Sequence, residues 1–207
     1  MGRKQLVSAD SPQDVASKFS AAILGFIGNI PRSKQNTSSS PVDRVRSVAN
    51  AAAAKAATVA GTLALPPGPL GWLTILPEMV AVWKIQAQMV ADVAALYGKT
   101  ATLSQEQMLY CLFKHSAAQA VRDLVVRVGE RGLVKRASLR VMQSVAQRIG
   151  VKVTQRAIGN GLTRWLPIIG ALGVGAYAYY DTAQGARTAI ELFEREIGFE
   201  SSATKDA

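Results

Sequence analysis

The chain has little of what most chemistry needs. Among 207 residues there is one histidine, His115, and one cysteine, Cys111. A lone cysteine excludes an intramolecular disulfide, and a lone histidine excludes every catalytic or metal design that requires two imidazoles. Cys111 and His115 stand four residues apart, so on a helix their side chains could meet, but no orienting third group is visible near them. Zinc would need two further ligands. Glu78 and Asp92 lie about four helical turns apart, roughly 21 Å, too far to act as a carboxylate pair. There is no Walker A motif, and LPPGPLG at 65–71 does not imitate one, because its prolines remove phosphate-binding donors. No catalytic residue, metal ligand or cofactor is assigned, and the expectation is a protein that is not an enzyme.

Aromatic residues make up only 6%, and strand formers in alternation are scarce, whereas alanine fills 33 of the 207 positions. That balance predicts an all-α fold, a single bundle of six or seven helices with a flexible N-terminal arm. Apolar residues at 49% and a length of 207 suffice for one core without staples. Long apolar runs are also missing. No apolar stretch directly follows the basic residues of MGRKQLVSADSPQDV, so a cleaved signal is not expected. Of the uncharged runs 19–31, 56–77 and 165–180, the first and last are too short to span a bilayer. Pro66, Pro67, Gly68, Pro69 and Gly71 interrupt the middle one.

What remains is helical periodicity and positive charge. A first helix is predicted over 12–29, with Ser11 as its cap and Val15, Phe19, Ala22, Ile23 and Phe26 in one stripe. Residues 31–41, PRSKQNTSSSP, read as a mobile Ser-rich linker. An Ala-rich second helix follows over about 42–64. The third, over about 74–97 with Pro77 in its first turn, carries Met79, Val82, Trp83, Gln86, Val90, Val93 and Tyr97 on one face. Gln86 and Tyr97 are expected to be structural, buried with their polar atoms paired, and Gly98 supplies the stop. Ser104 and Gln107 form a capping box that starts a fourth helix at 105, expected to run to about 128. A fifth is expected over 131–149, a sixth over 151–158, and a last from Pro167 to about 197.

The formal charge is +10, spread unevenly. Residues 111–165 hold eleven Lys/Arg against two Asp/Glu, and 166–207 hold three against six. Arg127, Arg131 and Lys135 repeat every four residues, as do Arg148, Lys152 and Arg156, and Arg136 with Arg140 adds a pair. On helices each set shares a face, where like charges repel unless something anionic offsets them. An anionic membrane surface is the expected partner, since Trp165, Leu166 and the apolar run behind them follow directly. Nucleic acid is the rival, using the same 111–165 segment, although only Phe113 and Trp165 supply aromatics there. Internal pairing with Glu191, Glu194 and Glu196 is the plainest alternative, and a hydrolase of unrecognised type is a further one.

Two segments resemble the EcsC-like family of bacterial helical proteins. Residues 65–98 carry a Pro/Gly turn (Pro67, Gly68) and then Gln86, Met89, Val90, Ala94, Tyr97 and Gly98. Residues 167–189 carry a Pro-x-Ile-Gly start, Pro167 to Gly170, followed by small residues and Thr182. An Asn expected near position 178 is Ala178 here. The resemblance covers roughly residues 45–195, and the chain is expected to divide into an N-terminal helix and Ser-rich linker over 1–41, an EcsC-like helical domain over 42–198 and a tail over 199–207. It implies no established reaction. The function it suggests is accessory: a cytoplasmic protein, peripheral to the inner face of the membrane, that supports a membrane-associated or transport partner. A homo-oligomer is compatible with this.

Overall fold

The computed structural model describes residues 11–63, 71–128, 131–135, 137–159, 167–194 and 199–200. Seven α-helices form a bundle: α1 Pro12–Ile27, α2 Pro41–Leu63, α3 Gly71–Leu96, α4 Gln105–Phe113, the single turn α5 Ala118–Val121, α6 Leu139–Gly159 and α7 Pro167–Glu194. Between α5 and α6 the chain makes a hairpin, β1 Val125–Val128 and β2 Arg131–Lys135. A two-residue strand, β3 Phe199–Glu200, lies parallel beside β2. The fold is all-α apart from this small sheet.

Helix starts follow the capping chemistry in the sequence. Ser11 accepts from the Asp14 amide at 3.2 Å, and the Ser11 amide donates to the Asp14 carboxylate at 3.0 Å. Ser104 and Gln107 make the same reciprocal pair at the start of α4. After α3 the chain reverses at Gly98, whose φ of 69° lies in the left-handed region. The Lys99 amide there donates to Ala94 O at 2.7 Å, a closing bond typical of a glycine-terminated helix.

Contacts fix the helix directions. Gln86 bonds Thr182, Met89 lies against Gly185, and Tyr97 bonds Glu194, so α3 and α7 run parallel. Helices α2 and α3 pack together and are separated by only seven residues, too few to run back along a 23-residue helix, so α2 is antiparallel to α3 and hence to α7, on which it packs through Gly175 against Ala57 and Gly61. The C-terminus of α2 and the N-termini of α3 and α7 therefore share one end of the molecule. On the other side, Trp83 is wedged among Phe19, Phe26 and Phe113, with ring centroids 6.0, 5.8 and 5.4 Å away. These rings join α1, α3 and α4 in the main core.

Several expectations are corrected. The N-terminal segment is not separate from the core: Phe19, Ile23 and Ile27 of α1 are fully buried in it. Nor is 31–38 a loose linker. It runs along α3, where the Ser33 hydroxyl donates to Asp92 at 2.6 Å, Gln88 donates to Arg32 O at 3.2 Å, and the Ser38 amide donates to Leu96 O at 3.1 Å. Helix α3 begins at Gly71, so Pro77 stands inside it rather than in its first turn. The helix starting at 105 ends at Phe113, and the expected helix over 131–149 is a strand followed by α6. The β-branched run Val125, Val126 and Val128 prefers a pleated ribbon, and Gly132 weakens helix there. Gly150 does not divide two helices; it lies within α6, where its bare Cα meets the backbone of α1 at Ala16. Of the tail, Phe199 and Glu200 belong to the sheet.

Candidate functional site

Two arrangements emerge, one buried and one on the surface. The buried one sits where α3, α7 and the turn after α4 meet. Gln86, only 1% exposed, donates through Nε2 to Asp181 Oδ2 at 2.8 Å and to Thr182 Oγ1 at 3.1 Å. His115 Nε2 lies 2.7 Å from Asp181 Oδ1. One carboxylate thus clasps an amide from α3 and an imidazole from the α4 turn. Gln86 Oε1 and His115 Nδ1 are buried and have no hydrogen-bond partner among the described residues. The expectation that Gln86 is buried holds, but only half of its amide is paired.

Asp181 is the orienting group for His115 that local sequence could not show, because 66 residues separate them. It does not complete a Cys–His nucleophile. Cys111 is fully buried, and burial pushes its thiol upward, keeping it protonated. His115 Nδ1 makes no bond to it. A thiol with neither thiolate character nor a base in contact lacks what nucleophilic attack needs. Among the described residues no group of three or more His, Cys, Asp or Glu could hold a metal ion. The chemistry here is that of a clasp.

The other motif residues take structural places. Met89 is buried against Gly185. The Tyr97 hydroxyl donates to Glu194 Oε1 at 2.8 Å, and burial, with Glu194 behind it, pushes the phenol up to about 12. Pro167 and Gly170 open α7. Pro67 and Gly68 lie outside the described residues. Glu191 pairs at 3.2 Å with Lys114, one of the eleven cations of 111–165, so internal pairing accounts for that cation, while Glu194 accepts from Tyr97.

The surface arrangement is the basic one, and it differs from a single ladder. Position 127 is on β1 and positions 131 and 135 are on β2. The register pairs Arg127 with Gly132 and Val128 with Arg131. Alternation then puts position 127 on one face of the ribbon and positions 131 and 135 on the other. A helix would have aligned all three. Arg136 lies outside the described residues. Arg140, Arg148, Lys152 and Arg156 do share one helix, α6, which contains no Asp or Glu over its 21 residues. Met142, Val145, Ala146 and Ile149 bury its inner face, with Arg140 and Arg148 exposed and Lys152 half-buried. Exposed Leu139 and Val151 interrupt this cationic surface.

A third feature was missed by sequence reasoning. On α7, Leu172, Tyr177, Tyr179 and Tyr180 are exposed, the first at 70% and the last at 60%. The signal was present in the charge-free run 165–180, but periodicity alone does not tell which face a uniformly apolar helix leaves uncovered. Helix α3 has the opposite fate. Residues Leu76–Leu96 are long and apolar enough to cross a membrane, and 61% of that stretch is buried within the bundle. No family model, curated protein or solved structure matches the chain.

Proposed function

We propose that the protein is a non-enzymatic helical module of the EcsC-like kind that attaches peripherally to an anionic membrane surface and supports a membrane-associated partner. The observation that carries this reading is α6: four cations with no acid in the helix, and an apolar face committed to the core, so that the opposite side is cationic. Its i,i+4 cations repel one another, and an anionic lipid surface offsets that repulsion. Each Lys or Arg near such a surface contributes about 1 kcal/mol. In this reading the two EcsC-like segments form one unit, the parallel pair α3 and α7, which meet through Gln86 and Thr182. A location at the cytoplasmic face of a bacterial membrane belongs to the same proposal.

The test is vesicle flotation with phosphatidylglycerol-containing and neutral vesicles at two salt concentrations. Binding is expected to anionic vesicles only, and to weaken with salt, because exposed charges are screened over about 8 Å at physiological ionic strength. Changing Arg140, Arg148, Lys152 and Arg156 together to Gln removes about 4 kcal/mol of attraction, roughly a thousandfold in partition. Partition unchanged by the fourfold substitution overturns the reading. Steep salt-dependent binding to oligonucleotides, with none to vesicles, replaces it with nucleic-acid binding.

A further inference from the structure

We infer that the end of the bundle formed by the C-terminus of α2 and the N-termini of α3 and α7 enters the hydrocarbon edge of one bilayer leaflet. The inference rests on the peripheral-attachment reading above and adds a second, apolar contact to the electrostatic one. It starts from the helix directions. Because α3 and α7 run parallel and α2 antiparallel, the described uncharged stretches 56–63, 71–77 and 167–180, far apart in sequence, belong to the same end of the molecule. A soluble bundle normally covers its helix ends with polar side chains, and exposed large apolar groups clustered without charge mark an interaction surface.

The outward face of α7 is the part seen most directly. Leu172, Ala176 and Tyr180 follow at i, i+4 and i+8, all exposed, with Tyr177 and Tyr179 on the flanks. Leu63 at the end of α2 is 42% exposed. The acids nearest this end are turned inward: Glu78 is buried, and Asp181 is held by Gln86 and His115. Among the described residues the first exposed charges met on moving away from the end are Lys55 on α2 and Lys84 on α3; Arg164, just before α7, lies outside them. Leu63 and Leu172 lie nearest the tip, and Tyr180 stands level with Lys84, since Gln86 meets Thr182; apolar groups deepest, with rings and lysines together above them, match acyl chains beneath an interfacial zone and anionic headgroups.

The dimensions agree. From Lys55 to Leu63 is eight residues, and from Lys84 back to Gly71 is thirteen. At 1.5 Å per residue, the part of this end with no exposed charge among the described residues is roughly 12–20 Å tall, Glu78 within it being buried. That exceeds the roughly 5–10 Å by which interfacial helices bury themselves, and it falls short of the roughly 30 Å core a spanning segment must cross. Entry into one leaflet fits; crossing does not. The basic helix is tethered to the same region. Ala137, just before α6, bonds Glu106 at the start of α4, placing that end of α6 beside α4. The other end of α6, Gly159, is eight residue steps from Pro167, so it stays within about 28 Å of the start of α7. Lys152 belongs to the half of α6 nearer that tether, where headgroups would lie when the tip is inserted, and Arg148 stands at the middle of the helix.

The test uses the full chain with Leu172 changed to Cys and labelled with an environment-sensitive fluorophore, together with the same label at Thr100→Cys. Thr100 is exposed and follows α3 at the opposite end, and native Cys111 is fully buried and stays unlabelled. On phosphatidylglycerol vesicles, the label at 172 is expected to shift blue and to be quenched by doxyl groups on the acyl chains, whereas the label at 100 is unaffected. Separately, Leu172→Asp and Tyr180→Asp are expected to reduce vesicle partition tenfold or more, with the melting temperature within about two degrees of the parent. Flotation with an aqueous, unquenched label at 172 and unaltered partition of both Asp variants overturns the inference and leaves peripheral attachment standing. Absence of flotation under all conditions overturns both. If Leu172→Asp instead dissociates an oligomer in sedimentation while vesicle partition is unchanged, the face binds a second copy and the inference fails.

Discussion

The two sides of α3 are packed in opposite ways. Facing α1 and α4, it presents Trp83 to Phe19, Phe26 and Phe113, and the space is filled by large rings meeting edge to face or offset. Facing α2 and α7, the contact is made by Ala56, Ala60, Val82 and Ala178, with Ile85 and Val174 at the margin. There the helices approach until backbone nearly meets backbone: a Cβ added at Gly175 would stand 3.0 Å from Ala57 O. Rings contribute stability through buried area and are sensitive to loss. Small residues contribute through close approach and are sensitive to gain. The same helix therefore has one side that tolerates no truncation and another that tolerates no growth.

Truncation on the ring side gives the largest expected effect. Trp83→Ala should cost about 3–5 kcal/mol, since it removes the group on which three phenylalanines converge. A cost under about 1.5 kcal/mol in urea denaturation would show that the ring cluster is dispensable. Growth on the small side comes next. Ala60→Leu, at a position 1% exposed between α2 and its neighbours, should cost about 1–3 kcal/mol through overpacking, although it adds apolar area. Gly150→Ala belongs to the same class, because its Cβ would fall 2.6 Å from Ala16 O, a backbone atom that cannot swing aside. If Ala60→Leu stabilised the fold, the contrast between the two sides of α3 would be lost; Gly150→Ala tests the same sensitivity to growth at the α6–α1 contact.

The polar clasp lies between these extremes. Asp181→Leu orphans His115 Nε2 and one bond of Gln86, which predicts a loss of about 1–3 kcal/mol. Adding Gln86→Leu should then cost less than it does alone, because both members of a pair have been removed. Strict additivity in this double-mutant cycle would mean that the two side chains are not coupled.

How much of this was legible in the sequence depends on the range of the signal. Caps and periodic stripes are local, so α1, α2 and the start of α4 could be read from Ser11, the alanine series and the Ser104–Gln107 box. The hairpin could not be separated from a helix by its charges, because a repeat of four suits a helical face and an even count suits a strand. Its valines were the better guide. Gly150 looked like a helix break because sequence does not distinguish a glycine that ends a helix from one that admits a neighbour. The docking of α1 and of 31–38 was hidden for a different reason: Phe19 finds Trp83, and Ser33 finds Asp92, across 64 and 59 residues. The Asp181 clasp is non-local in the same way.

The smallest expected effect concerns Tyr97, where α3 and α7 are tied together near their C-terminal ends. Its hydroxyl donates to Glu194 at 2.8 Å, and the site is only half-buried, so Tyr97→Phe should cost under about 1 kcal/mol near neutral pH. The pH dependence identifies the cause. Burial, and then the Glu194 hydrogen bond and charge, raise this phenol from 10.0 to about 12, favouring the neutral, donating form in the folded state. An acid whose folded value is raised contributes stability that is complete below its unfolded value, here about 10, and that declines as pH rises toward the folded value. The stability gap between the parent and Tyr97→Phe should therefore be constant from pH 7 to about 9 and shrink between pH 10 and 12. Both proteins lose stability there as other tyrosines and lysines titrate, and taking the difference between them removes that shared background. Glu194→Gln keeps an acceptor but removes the charge, so its gap at pH 8 should be a few tenths of a kcal/mol and its phenol should titrate closer to 10. A gap for Tyr97→Phe that stays level from pH 8 to 11.5 would place the contribution of Tyr97 in its ring rather than in its hydroxyl, and would make this end of α3 an extension of the Trp83 side.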